Sequence, residues 1–277
     1  MTRDVELERN TRGGVTWHEP PALRLEHGIV VTFSERTGGR SRGPYGSLNL
    51  AAHVGDDPAS VDDNRSTLLE SIGLERMRGR LTMAEQVHGT TVREVAGATA
   101  GLGAFARPGG PPPVPDTDAL YTLEHDTPLL MCYADCVPLV LVATWPTRAV
   151  AVVHAGWRGA LGRLPGKAAV RLAEAAGCAP SDLVAYVGPH VGPCHYEVDE
   201  ERLSQFEKAF GRIAAAPGHL DLGAAVSASL SEVGVPLSSV VRMGLCTAER
   251  TDGFYSYRAD RVTGRHGALA CILGAGR

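Results

Sequence analysis

Between Pro128 and Gly159 three apolar runs follow one another with only short breaks: Leu129–Tyr133, Val137–Ala143 and Ala149–His154. Each is short, rich in β-branched or bulky residues and bounded by turn formers, the pattern of strands buried on both faces. A chain carrying them is constrained to build a sheet with cover on each side. Chemically demanding residues stand where the runs break: Asp135 and Cys136 between the first two, and His154 at the end of the third, just before Ala155-Gly156-Trp157-Arg158-Gly159. Side chains at the ends of central strands are held rigidly and open into crevices, so they suit chemistry.

Around this stretch, strands and helices alternate. Ile29–Phe33, Leu81–Gly89 continued by Val92–Val95, Leu183–Val187, Val240–Met243 and Ala268–Leu273 read as strands. Ala59–Ile72, Lys167–Ala176, Asp199 or Glu200 through Phe210, and Asp221–Val233 read as helices, several closed by glycine. The alternation, with some hairpin-like links, predicts an α/β fold with mixed sheets. Residues 1–22 read as a loosely ordered lead-in and 23–277 as a single α/β domain. Residues 101–118, GLGAFARPGGPPPVPDTD, read as a long surface loop within it, since the proline and glycine content disfavours regular packing.

Composition excludes some functions. With 44% hydrophobic residues the chain has enough for a core; a net charge of -4 and a pI near 6.2 supply no basic field for nucleic acid. No apolar run approaches the ~20 residues that span a bilayer, and the polar first residues carry no secretory signal. A cytoplasmic protein without a membrane or nucleic-acid partner is expected. Six cysteines (132, 136, 178, 194, 246 and 271) without a CxxC pair fit reduced thiols rather than a disulfide framework.

Two imidazoles and a thiolate, His88, Cys136 and His154, make a sound zinc set that leaves a fourth position for water or substrate. The same residues also fit a Cys–His nucleophilic pair or an inert cysteine with hydrogen-bonded core histidines, and spacing leaves all three open. Arg36, in the Ser34–Tyr45 loop with Gly38, Gly39, Arg40 and Arg42, and Arg158 are candidates for an anion such as phosphate, with Arg258 a further one. Each could equally form a salt bridge. Asp135 could orient a ligand, bond substrate hydroxyls or cap a turn.

Gln86-Val87-His88-Gly89, Asp118-Ala119-Leu120, Ala134-Asp135-Cys136-Val137-Pro138-Leu139 and Val153-His154-Ala155-Gly156-Trp157-Arg158-Gly159 together resemble the purine nucleoside phosphorylase family formerly labelled the laccase-domain or polyphenol oxidase family. Phe33–Pro58, Gly188–Val198, Cys246-Thr247, Phe254–Arg258 and Gly264-Arg265 extend the resemblance over about residues 28–273. It implies a layered sandwich of mixed sheets flanked by helices, related to cysteine-dependent deamidating toxins. It implies that His88, Cys136 and His154 bind zinc or copper and are the catalytic residues, with Arg36, Asn49, Asp135 and Arg158 holding nucleoside and phosphate. It further implies phosphorolysis of adenosine, inosine and 5'-methylthioadenosine to free base and ribose 1-phosphate or its methylthio analogue, with adenosine deaminase side activity. Two alternatives stand beside it: a copper-dependent polyphenol oxidase (laccase) and a metal-free Cys–His hydrolase. One departure is visible. Leu164-Pro165-Gly166 interrupts the helix expected after the His-Ala-Gly-Trp-Arg-Gly motif.

Overall fold

The computed structural model describes residues 7–274. Two six-stranded sheets lie face to face, each mixed in strand direction. The first runs in the order β1 (Glu8–Arg12), β2 (Val15–Glu19), β3 (Ile29–Ser34), β14 (His266–Ile272), β7 (Leu129–Tyr133) and β4 (Thr82–Met83). The second runs β13 (Val240–Arg242), β10 (Val184–Val187), β8 (Val137–Ala143), β9 (Ala149–Ala155), β6 (Ala119–Thr122) and β5 (Val92–Glu94). A two-residue hairpin, β11 (Ala215–Ala216) and β12 (His219–Leu220), stands apart from both.

Alternation explains the layering. In β8, Val140 and Val142 join Val150 and Val152 of β9 and meet Val31, Phe33, Met131 and Ala270 of the first sheet. The opposite set, Val137, Leu139 and Leu141 with Ala151 and Val153, packs beneath helices α3 (Trp157–Leu161), α4 (Leu164–Ala176) and α6 (Leu222–Glu232). The outer face of the first sheet is covered by α2 (Pro58–Ser71) through Leu68, Leu69 and Ile72. Side chains on successive strand residues point to opposite faces, so the three apolar runs had to be covered twice. The result is helices, sheet, sheet, helices. The remaining helices are α1 (Pro21–His27), α5 (Glu200–Phe210) and α7 (Tyr257–Asp260).

The helix after the third run is broken, as the Leu164-Pro165-Gly166 departure predicts. Arg163 takes a left-handed φ of 61° between α3 and α4, and Pro165 falls in the first turn of α4, where its missing N–H costs nothing. Gly166 is needed there, because a Cβ would lie 2.7 Å from the Ser229 carbonyl oxygen of α6.

Three expectations need correction. From residue 8 the lead-in is not loose: Glu8–Arg12 and Val15–Glu19 form a hairpin across Gly13 and Gly14, and Val15 and Trp17 are buried in the core. Residues 1–6 lie outside the described residues. The predicted strand through Leu81–Val95 divides, because β4 pairs with β7 in the first sheet while β5 pairs with β6 in the second. His88 therefore sits on the crossing between sheets rather than at a strand end. Residues 101–118 lack strand and helix, as their composition implies, but they are pinned: Asp62 accepts the Ala106 and Arg107 N–H groups, and Arg65 donates to the carbonyls of Gly103 and Ala104.

Candidate metal and substrate cleft

Strands β8 and β9 are antiparallel neighbours in which Val137 faces Ala155 and Pro138 faces His154. That register puts Cys136, just before β8, beside His154 near the end of β9. The crossing segment brings His88 to the same point. The ligand atoms of His88, Cys136 and His154 all lie within 4.8 Å of one another, and the two imidazoles meet edge to face with centroids 4.8 Å apart.

What holds them there is Asp118, at the end of the proline-rich segment. Its carboxylate accepts the backbone N–H groups of Val87, His88 and Gly89 at 3.2, 3.0 and 2.6 Å, and the Nδ1–H of His154 at 2.8 Å. One buried carboxylate thus fixes the backbone of one imidazole and the ring orientation of the other, leaving Nε2 of His154 to face the cysteine. Gln86 ties the same segment to β7, donating to the Cys132 carbonyl and accepting its N–H. His88 and Asp135 both take left-handed φ values, 61° and 90°. Conformations of that kind cost energy for non-glycine residues and cluster at functional sites.

The electrostatics of the trio are coupled. Burial raises the Cys136 thiol, but the positive charge of His154 and hydrogen bonds from both histidines outweigh it and bring the thiol down to about 6. For His154, burial pushes down, yet the Cys136 thiolate and Asp118 lift it to about 9. Asp118 is likewise held below the usual carboxylate range despite burial, through His154 and the N–H groups it accepts. The two histidines thus favour the thiolate form of Cys136, which both metal ligation and nucleophilic attack require.

The trio forms the floor of a cleft of about 410 Å³. Arg158, Arg258, Arg261 and Arg265 line it with His53, Tyr196, Tyr257, Trp157 and Asp135. The Arg158 guanidinium rests on the Trp157 ring at 4.6 Å and, among the described residues, has no hydrogen-bond or carboxylate partner. Arg258 donates Nη2 to the Glu197 carbonyl and lies over Tyr196. Asp135 accepts from the Thr247 hydroxyl at 2.7 Å and the Arg258 N–H at 2.6 Å, so it orders the cleft wall while touching the cleft itself.

Two expected site residues are elsewhere. Arg36 does not line the cleft: Nε donates to the Gly46 carbonyl, Nη1 to the Thr251 carbonyl, and the guanidinium stacks on Tyr255 at 4.3 Å. Asn49 is fully buried, donating to the Ala51 carbonyl and Asp56 while accepting the N–H groups of Ala51 and Arg265. It braces the backbone of a cleft arginine from behind. Sequence reasoning missed Asp118 as an organiser and Arg261, Arg265, His53 and Tyr196 as lining residues; all of these but Arg261 stood inside motifs already singled out.

The residues present fit a metal. Two neutral or neutralisable imidazoles and a thiolate converge, and the second nitrogen of His154 is anchored to a carboxylate, as it is in most histidine-ligated metal sites. A Cβ on Gly156 would stand 3.0 Å from Cys136 Sγ and 3.1 Å from His88 Cδ2, so glycine keeps that space open.

Comparison with known proteins agrees with the fold and the motifs. Residues 30–273 match a family model described as multi-copper polyphenol oxidoreductase laccase. A protein of Geobacillus stearothermophilus named purine nucleoside phosphorylase YlmD is 35% identical over 94% of both chains. One of Streptomyces coelicolor, named purine nucleoside phosphorylase SCO2081, is 38% identical over 86% of this chain and 93% of its own. The crystal structure of YlmD from Geobacillus stearothermophilus superposes with a TM-score of 0.86 at 33% identity, covering 97% of this chain and 99% of that one. Among the described residues no helix is long and apolar enough to cross a membrane.

Proposed function

This chain belongs to the family so described, and from that premise we propose that it is a metal-dependent purine nucleoside phosphorylase. In this reading it cleaves adenosine, inosine and 5'-methylthioadenosine with phosphate, and deaminates adenosine as a side reaction. The observation that carries the proposal is the meeting of a His–Cys–His donor set with four arginines in one cleft of nucleoside size. Phosphorolysis needs a cationic bed for a dianion that would be costly to desolvate alone, and Arg158, Arg258, Arg261 and Arg265 provide one. The relatives' printed names support the same reaction.

His88, Cys136 and His154 would hold the metal, zinc or copper, and when bound it supplies Lewis-acid stabilisation of negative charge on substrate. The chain's own groups do the rest. The Arg158 guanidinium, which stacks on Trp157 and has no hydrogen-bond partner among the described residues, takes phosphate oxygens. Tyr196 and Tyr257 offer ring faces to a purine. Asp118 keeps His154 in one tautomer and one orientation.

The laccase reading is disfavoured by the donor count. Oxidation of phenols by a blue-copper centre with a trinuclear cluster needs many histidines, whereas the converging donor set holds two with one cysteine. A metal-free Cys–His hydrolase is favoured by one specific observation, the lowered Cys136 thiol beside His154. The experiment that separates these readings is incubation of metal-analysed protein with inosine, with and without phosphate, alongside His88→Ala and Cys136→Ala. Phosphate-dependent release of hypoxanthine and ribose 1-phosphate, lost in both variants, is the expected result. Base release that ignores phosphate would indicate hydrolysis, and phenol oxidation without base release would restore the oxidase.

A further inference from the structure

A second group of soft ligands stands on the cleft's outer wall. After β10 the chain turns through Gly192-Pro193-Cys194-His195, and the His195 N–H closes the turn on the Gly192 carbonyl at 3.0 Å. The segment Cys246–Glu249 runs beside it, joined through the Thr247 N–H to the His190 carbonyl and through the His190 N–H to the Leu245 carbonyl. Four donor groups converge between the two segments. Cys246 Sγ and His195 Nδ1 are 3.7 Å apart, and His195 Nδ1 and a Glu249 carboxylate oxygen are also 3.7 Å apart. Cys194, His195 and Cys246 present ligand atoms all within 4.8 Å of one another.

We infer that Cys194, His195, Cys246 and Glu249 form a second metal site, a structural one for zinc or a similarly soft divalent cation. Bond lengths of about 2.0–2.3 Å at tetrahedral angles place neighbouring ligands roughly 3.5 Å apart, so separations of 3.7 Å need little adjustment and the widest needs about 1 Å. Cys194 is exposed and the side chains of His195 and Glu249 are roughly half exposed, so they can make that adjustment and an ion can enter from solvent. Cys246 is buried, and its sulfur accepts the Gly192 N–H at 3.2 Å, which fixes its position between the two segments. Four protein ligands from two segments close the coordination sphere, which marks a stapling role rather than a catalytic one.

What would be stapled is the cleft itself. Val191 and Tyr196, on one segment, line it; the Val191 N–H also binds the Asp135 carbonyl. Thr247, on the other, donates to the Asp135 carboxylate. An ion at the outer cluster therefore fixes the wall opposite His154, whatever reaction the cleft performs.

Cobalt(II) titration of the full-length reduced protein tests this, because thiolate-to-cobalt charge transfer absorbs strongly in the near ultraviolet. Cys136→Ala removes the cleft thiolate, and in that background about one cobalt ion per chain is expected to bind with a thiolate band. Adding Cys194→Ser should weaken the band by about half, adding Cys246→Ser as well should abolish it, and adding Glu249→Gln should weaken binding about tenfold. Should Cys136→Ala fail to fold, zinc analysis of otherwise wild-type protein gives the same answer: Cys194→Ser lowers the content from about two ions per chain to about one. Loss of the thiolate band in Cys136→Ala alone, or its survival in Cys136→Ala with both Cys194→Ser and Cys246→Ser, would overturn the site. So would a Cys194–Cys246 disulfide whose reduction restores no metal uptake.

Discussion

Two polar regions of this molecule carry the same kinds of side chain and end up with opposite roles. Around Arg36 and Asn49, polar side chains point inward and most of them find partners. Asn64 donates to Ser41 and to the carbonyls of Ser47 and Asn49, Arg65 to the Leu50, Gly103 and Ala104 carbonyls, and Arg36 to two more. In the cleft, by contrast, the Arg158 guanidinium has no hydrogen-bond partner among the described residues, and the ligand atoms of His88, Cys136 and His154 converge within 4.8 Å of one another. Buried polar groups that are fully matched make structure. Groups held in place by others but left with capacity of their own make a site. Asp118 is where the two kinds join, since its own hydrogen bonding is filled precisely so that that of His88 and His154 is aimed.

The largest test of this contrast is removal of the thiolate. Cys136→Ala is expected to lower phosphorolysis of inosine by about a thousandfold or more and to reduce metal at the cleft, with little change in melting temperature, because a cavity the size of one sulfur costs at most about 1–2 kcal/mol. A variant that keeps its activity would remove the cleft's trio from the chemistry. Asp118→Asn comes next. It leaves the ligands in place but removes the charge that orients His154, so metal affinity should fall about 10–100-fold, read by competition with a chromophoric chelator.

These positions also show how far the sequence could be read. Cys136 and His154 stood out because reactive residue types fell at the edges of apolar runs, but spacing left their role and that of His88 open and the family resemblance assigned it; the runs themselves dictated a doubly covered sheet. Which sheet each run joins was not legible: β7 and β8 are separated only by Ala134-Asp135-Cys136 yet lie in different sheets, and hydrophobicity is the same on both. Asp118 was quoted within a motif but not as an organiser, since its bonds go to backbone N–H groups about thirty residues away, which have no side-chain signature. Arg36 sat among glycines that suggested an anion loop. Only three-dimensional structure reveals that carbonyls already occupy its guanidinium.

A paired substitution sharpens that last point. Arg158→Ala should raise the KM for phosphate by about tenfold, since one charge-assisted contact contributes roughly 1.5 kcal/mol, and should leave the melting temperature nearly unchanged. Arg36→Ala should do the reverse, destabilising by about 2 kcal/mol by leaving the Gly46 and Thr251 carbonyls without a donor while the KM stays the same. If both variants changed KM alike, matching of hydrogen bonds would not separate scaffold from site.

The smallest effect concerns pH. Glu35, next to Arg36, is buried; burial raises its carboxyl, but hydrogen bonds from His18 and Arg9 and their charges bring it down to about 2. A folded value below the unfolded 4.5 means the folded state binds its proton less readily, so the stabilisation is complete above about pH 4.5 and is lost as pH falls through about 2. Arg9 is more than half exposed, and solvent screens its share, which limits the total to about 1–2 kcal/mol. Glu35→Gln should therefore flatten the acid limb of the melting temperature between those pH values while leaving the pH profile of inosine phosphorolysis where it is. A shift in the activity profile would mean that the scaffold's charges reach the cleft, and that the division between the two regions is less sharp than their hydrogen bonds make it.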